Sequence, residues 1–356
     1  MPTQFGSPIY KRHQSSFDSS AVAILRAAEA LIFGKTTTTE FTVSNSGPDT
    51  TNPHDLNRTP GGSSCGSAAA VADFQVTLSL GSQTGGSTIR PASFTGVFAM
   101  KPTYNAILLE GQKTFAPTFD TLGFFARSVE DLQLLADAFA LTDDAAPADI
   151  SLEDISVALM KTPMWPQAGP STVAAMNNAA AILQKRGAQV VEVSFPPEVN
   201  DCVDLERIHE VILGGEAHVS FLREYRVDKE NLAAEIRDLV ENTANYTKKE
   251  RMEAFDAYAR MRDIVNNLAE NYSVILTPSA VDEAPLGLDD MGIATFNTMW
   301  TASGFHMPVV HIPAFIGTNG MPVGISLVAS RFHDQHLLRV SKILGDALMT
   351  EGGWKV

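Results

Sequence analysis

The 356-residue chain is expected to fold as α/β, with a largely buried sheet and helices packed against it. Three observations carry that expectation. From Ile155 the pattern runs strand, helix, strand: Ser156–Met160, a helix near Ser171–Lys185, and Gln189–Val193 after a stop at Gly187. Short apolar runs at Val274–Pro278, Val309–Ile312 and Val323–Leu327 read as further core strands. Hydrophobic residues make up 44% of the chain, enough for a large core in one big domain or two.

In chain order, residues 1–16 are loop-like. Ser19–Phe33 places Val22, Leu25, Ala28, Ala30 and Ile32 at helical spacing, with Asp18, Ser19 or Ser20 to cap the start and Gly34 to end it. Gly34-Lys35-Thr36 is not a phosphate loop, because the glycine required five positions earlier is Glu29. Asn52–Pro60 is turn-rich and leads into the stretch from Gly61 to Pro91. That stretch opens on a small-residue turn, Gly61-Gly62-Ser63-Ser64. A helix runs through Ala72, then a strand over Val76–Leu80, then a second small-residue turn from Gly81 to Ser87. Ser128 and Asp131 have capping-box spacing for a helix to about Phe139. Arg127 is placed to pair with a buried carboxylate, Asp120 being one candidate. Residues 204–270 read as a charged, helix-rich excursion over the sheet, and a helix from about Asp334 to Leu348 closes the chain.

The two small-residue turns are where chemistry is expected. Glycines let successive backbone N–H groups converge on one point. Convergent donors of that kind stabilise the oxyanion of acyl transfer. A serine ending such a loop, here Ser87, is the natural nucleophile. Gly62-Ser63-Ser64-Cys65-Gly66 matches Gly-x-Ser-x-Gly, but a polar, proline-containing loop precedes it instead of a strand, so Ser64 reads as the first turn of a helix. His209-Glu210 does not open a zinc-protease helix, because position 213 is Leu213. His333 and His336 share a helix face without a third ligand and read as surface residues. His306 and His311 border strand-like runs and read as core or rim. No histidine carries a local motif, although a triad assembled from distant positions stays open. No metal is expected.

The formal net charge of −15 makes nucleic acid a poor partner. Cys65 and Cys202 form no disulfide framework, and a cytoplasmic, reducing setting is the expectation. No apolar run reaches 18 residues, and Met1-Pro2-Thr3-Gln4 is not a signal peptide.

The stretch Gly61–Pro91 resembles the signature of the amidase signature family, whose pattern is Gly-Gly-Ser-Ser-Gly-Gly/Ser followed by a Gly-Ser-Asp-Thr-Gly-Gly-Ser-Ile-Arg-like loop. Ser87 follows Ser63 by 24 positions, as in that family. The resemblance implies the family's α/β fold: a mixed, twisted central sheet covered by helices on both faces, as a single domain over 1–356. It implies Ser87 as nucleophile and Ser63 as bridging serine after a cis peptide from Gly62. It also implies an oxyanion hole from the N–H groups of Thr84, Gly85, Gly86 and Ser87, with no metal or organic cofactor. Cys65 stands where the family commonly has Gly, and Gln83 where it has Asp.

Met1-Pro2-Thr3 resembles a family segment that a Val-Lys-Asp strand, bearing the catalytic lysine, precedes. The expectation is therefore an N-terminally incomplete domain with weak activity, in which Lys11, Lys35 and Lys101 have structural or solvated roles. Arg90 is expected to order the loop. The implied activity is hydrolysis of a small-molecule carboxamide. The alternatives are an inactive amide-binding protein and a transamidating component of an amidotransferase. Met299, Trp300 and Phe305 are candidate pocket residues, and a homodimer is a fair expectation.

Overall fold

The computed structural model describes residues 1–43, 48–145, 149–303 and 305–356. Helix α1, Ser20–Ala27, starts as expected, with Ser19 Oγ accepting the Val22 N–H at 3.5 Å. It ends well before Gly34. Glu29 turns left-handed and the Ala30 N–H returns to the Leu25 carbonyl. Leu31 and Phe33 are 88% and 76% exposed, so packing gives no reason for the helix to continue.

Helix α2, Cys65–Ala72, is buried at every residue, which its alanines and glycine allow. Strand β1, Ser79–Gln83, lies three residues later than the expected Val76–Leu80 and takes in residues expected as a turn. Pairing decides this: β1 runs antiparallel to Thr121–Ala126, with Gly81 opposite Gly123. Gly81 is needed there, since a Cβ would lie 2.7 Å from Ser64 Oγ and 2.8 Å from the Phe125 ring. Helix α3, Ile89–Thr95, closes on left-handed Gly96. Strands β2, Phe98–Lys101, and β3, Thr121–Ala126, follow.

Helix α4, Val129–Ala138, is capped by Ser128, whose Oγ accepts the Asp131 N–H at 3.1 Å. Among the described residues Arg127 pairs with no carboxylate. It donates to the Val71 and Val76 carbonyls and lies over the Phe74 ring, closing the turn after α2.

The alternation then follows expectation: β4 Ser156–Leu159, α5 Pro170–Lys185 and β5 Gln189–Glu192. The helical excursion comprises α6 Cys202–Ser220, α7 Leu222–Asp228, α8 Ala234–Glu241 and α9 Lys248–Ala269. A reciprocal Thr247–Glu250 capping box starts α9. The remaining elements are β6 Val274–Pro278, the single turn α10 Thr295–Asn297, β7 Val309–Ile316, β8 Pro322–Val328 and α11 Asp334–Gly352.

The eight strands form one sheet in the order β1-β3-β2-β7-β8-β6-β4-β5. Among the described strands, only β4 with β5 and β4 with β6 pair in parallel. The period of two divides each strand between two cores. Met100, Phe124, Val310 and Ile312 face one core, with residues of α4, α5 and α11. Ala99, Phe125, Ile275 and Val309 face the other, with α2, α3, α6 and α9. Helices therefore cover both faces of a mixed sheet, and α2 and α3 bring the two small-residue turns to one side of it.

Candidate active site

The first turn leaves the helical layer at Gly61. This glycine is left-handed, and a Cβ on it would stand 2.8 Å from Pro91 Cα. The Gly62–Ser63 peptide bond is cis. Its neighbours are held from both sides: the Ser63 carbonyl accepts from Thr38 Oγ1 at 2.9 Å, and the Gly62 carbonyl accepts from Arg90 Nη2 at 2.6 Å. Ser63 is fully buried, yet its hydroxyl has no hydrogen-bond partner among the described residues.

The second turn continues directly from β1. Gln83 ends the strand, and its Oε1 accepts the N–H groups of Thr88 at 2.8 Å and Ile89 at 2.9 Å. It thereby ties off the start of α3, a task its side-chain oxygen can perform without charge. The Thr84 hydroxyl donates to Asp120 Oδ1 at 2.5 Å. Ser87 is 8% exposed at the end of this loop.

Arg90 joins the two turns. It is buried, its own N–H donates to the Gly86 carbonyl, and its guanidinium reaches both Gly62 and the Gly292 carbonyl. Burial draws its pKa down to about 10. Arg90 thus orders the loop, as expected.

A segment that the sequence did not mark covers both turns. Met291 lies against Gly62, and Ala294 lies against Gly86, where a Cβ would come within 2.9 Å of the alanine methyl. A cavity of about 760 Å³ opens beside the outer strand β1, lined in part by Lys35, Thr38, Ser64, Ser67 and Ser82. It begins one residue past Ser63, and neither Ser63 nor Ser87 lines it.

Lys35 bonds Thr3 Oγ1, and burial pulls its pKa down. Lys101 is fully buried on β2. Its Nζ donates to the Pro102 carbonyl at 2.6 Å, and burial draws its pKa down to about 7 against the pull of Asp334. Neither lysine bonds the Ser63 hydroxyl.

Ser64 is the cap residue of α2, and its hydroxyl faces Ser82 of the neighbouring strand at 3.4 Å. His311 is a core residue: Nδ1 meets Ser279 Oγ at 2.7 Å, and burial pushes its pKa down to about 3. His306 stacks on Tyr104 and bonds the Thr118 carbonyl. His333 is exposed just before α11, whereas His336 is half-buried and bonds the Ser273 carbonyl. Met299, Trp300 and Phe305 are packed in the second core, with Trp300 Nε1 on Thr277 Oγ1 at 3.2 Å. Among the described residues no three His, Cys, Asp or Glu side chains group as a metal site, and no helix is long and apolar enough to cross a membrane.

Each of the two turns carries a buried serine, Ser63 in the first and Ser87 at the end of the second. The amidase family profile matches residues 1–338. The A subunit of glutamyl-tRNA(Gln) amidotransferase from Symbiobacterium thermophilum is 31% identical over 398 residues, covering 96% of this chain and 78% of that protein. A structure solved as a vestigial protein complex that reveals the evolutionary origins of an s-triazine catabolic enzyme superposes with a TM-score of 0.84. It is 28% identical, over 97% of this chain and 80% of its own. The crystal structure of an amidase gives the same TM-score at 26% identity, over 98% and 81%.

Proposed function

The chain belongs to the amidase family, and from that premise we propose that it cleaves the C–N bond of a small carboxamide, with Ser87 as nucleophile and Ser63 as proton relay. The observation that supports this most is the pairing of a glycine loop ending in Ser87 with a cis turn whose Ser63 hydroxyl is buried and uncommitted. Ser87 Oγ attacks the carbonyl carbon, and its proton passes to Ser63 and on to a base. The N–H groups of Thr84, Gly85, Gly86 and Ser87 hold the oxyanion. The C–N bond breaks as the proton returns to the leaving nitrogen, and water then hydrolyses the acyl-Ser87 ester.

The base that the family resemblance calls for is a neutral lysine. No lysine of the described residues bonds Ser63, so activity is expected to be weak, by about 10²–10⁴-fold for a lost general base. The test is ammonia release from a panel of primary carboxamides by this chain and by Ser87→Ala. Weak release that is lost in Ser87→Ala is expected. No release from any of them would overturn the reading in favour of an inactive amide-binding fold.

A second reading follows from the relatives that belong to glutamyl-tRNA(Gln) amidotransferases: a component that transfers ammonia within a complex. Its mark is co-sedimentation with partner proteins, and activity that depends on them.

A further inference from the structure

Strand pairing holds the chain only as far as Gln83. Beyond it the loop Thr84-Gly85-Gly86 has two glycines and little stiffness of its own. Its first residue is tied to a carboxylate 36 positions away. Asp120 is 7% exposed and takes part in none of the ion pairs among the described residues. It instead accepts three hydrogen bonds: the Thr84 hydroxyl on Oδ1 at 2.5 Å, and the Phe115 and Ala116 N–H groups on Oδ2 at 2.7 and 3.2 Å. A buried carboxylate without a cation is costly and is tolerated only where such donors surround it.

The loop that carries Asp120 is itself anchored. Glu216 of α6 accepts the Thr118 N–H at 3.0 Å and the Thr118 hydroxyl. Tyr104 donates to the Pro117 carbonyl at 2.7 Å, and His306 bonds the Thr118 carbonyl at 2.9 Å. Phe115 packs on Phe221 in the helical excursion. The glycine loop is thus tied, through Thr84 and Asp120, to a well-anchored loop on the helical layer.

We propose that Asp120 is a positioning residue for the oxyanion loop: by accepting the Thr84 hydroxyl it keeps the loop N–H groups aimed at the point in front of Ser87. This rests on the amidase reading above. A displacement of about 1 Å in such a donor set can cost up to about 10²-fold in rate. Burial, with Glu216 adding to it, pushes the Asp120 carboxyl up to about 6, against the three hydrogen bonds that pull it down. Glu216 acts on Asp120 and Asp120 on Tyr104, while Arg262 acts in turn on Tyr104 and His306.

The experiment measures the rate at which a fluorophosphonate modifies Ser87, by intact mass, in the full chain between pH 5 and 8. Thr84→Val and Asp120→Ala are each expected to slow modification about 10-fold, less than the 10²–10³-fold of removing a donor outright. The double variant should be no slower than the slower single variant, because both changes break the same Thr84–Asp120 bond. Thr84→Ser keeps the hydroxyl and should recover most of the rate that Thr84→Val loses. An acid limb near pH 6 should be present in the wild type and absent in Thr84→Val. If Asp120→Ala fails to fold, the Thr84→Val and Thr84→Ser pair decides alone. Thr84→Val at the wild-type rate would overturn the inference and leave the amidase reading standing. A wild-type chain unmodified at Ser87 would overturn the reading, and the inference with it.

Discussion

The two serine-bearing turns are built alike and wired differently. Both are rich in glycine, both lie on the face of the sheet covered by α2 and α3, and Arg90 bonds to both. Around Ser87 the side chains bond into the loop: Gln83 Oε1 ties off α3 and Thr84 is tied to Asp120, while Gln83 Nε2 and Thr88 Oγ1 have no partner among the described residues. Around Ser63 the backbone is held by Thr38 and Arg90, while the buried hydroxyl has no partner among the described residues. A buried hydroxyl left unpaired costs about 1–3 kcal/mol. On the proposed mechanism that hydroxyl is available to a transient partner, and the two turns take separate tasks: the Ser87 loop fixes geometry, and the Ser63 turn handles a proton.

That division can be broken most sharply at Ser63. Ser63→Ala is expected to slow Ser87 modification by about 10-fold or more, short of the full 10²–10⁴-fold of general acid–base assistance because no lysine of the described residues bonds Ser63 to complete the relay. It should leave stability within about 1 kcal/mol of the wild type, because no hydrogen bond is lost. A fall in the melting temperature with no change in rate would make Ser63 structural.

Gly86→Ala probes the braced side. The new methyl would meet Ala294 at 2.9 Å, so the loop or its cover must move. A loss of about 10-fold in rate and about 1–3 kcal/mol in stability is expected. Adding Ala294→Gly should restore part of both, as read by modification kinetics and denaturant unfolding.

Gln83→Ala removes the acceptor for two buried N–H groups and should destabilise the fold by about 1–3 kcal/mol, with only a few-fold effect on rate. Denaturant midpoints measured beside modification rates check that split.

Lys101→Met should leave the rate unchanged, because Nζ bonds the Pro102 carbonyl and not Ser63. A large drop in modification would identify Lys101 as the missing base and break the contrast between the two turns. The same variant carries a pH signature. Lys101 is drawn down to about 7 when folded, from 10.5, so above pH 7 the unfolded chain binds more protons than the folded one. Stability is then expected to rise between about pH 7 and 9, by up to about 1.4 kcal/mol per pH unit, and Lys101→Met should flatten that rise.

What could be read from the sequence follows how local each signal is. Helix α5 and strands β4 and β6 stand within a residue or so of where they are expected, because apolar runs, Gly187 and the helix period are all local. Strand β1 is displaced because Gly81-Ser82-Gln83 has the composition of a turn and becomes strand only by pairing with β3. Helix α1 is short because its second half has nothing to pack on. In the site, the serines and glycines stand in a contiguous pattern and were legible, as was the cis peptide through the family resemblance. The Thr84–Asp120 bond, the cover by Met291 and Ala294, and the true partners of Arg127 join residues far apart in the chain. No local pattern encodes them.

The most direct measurement is intact mass after incubation of the folded chain with a fluorophosphonate, beside Ser87→Ala. One adduct on the wild type and none on the variant is the expected result, and it would establish Ser87 as an activated nucleophile held by its loop. An unmodified wild type, or an adduct that persists in Ser87→Ala, would contradict the assignment of this site.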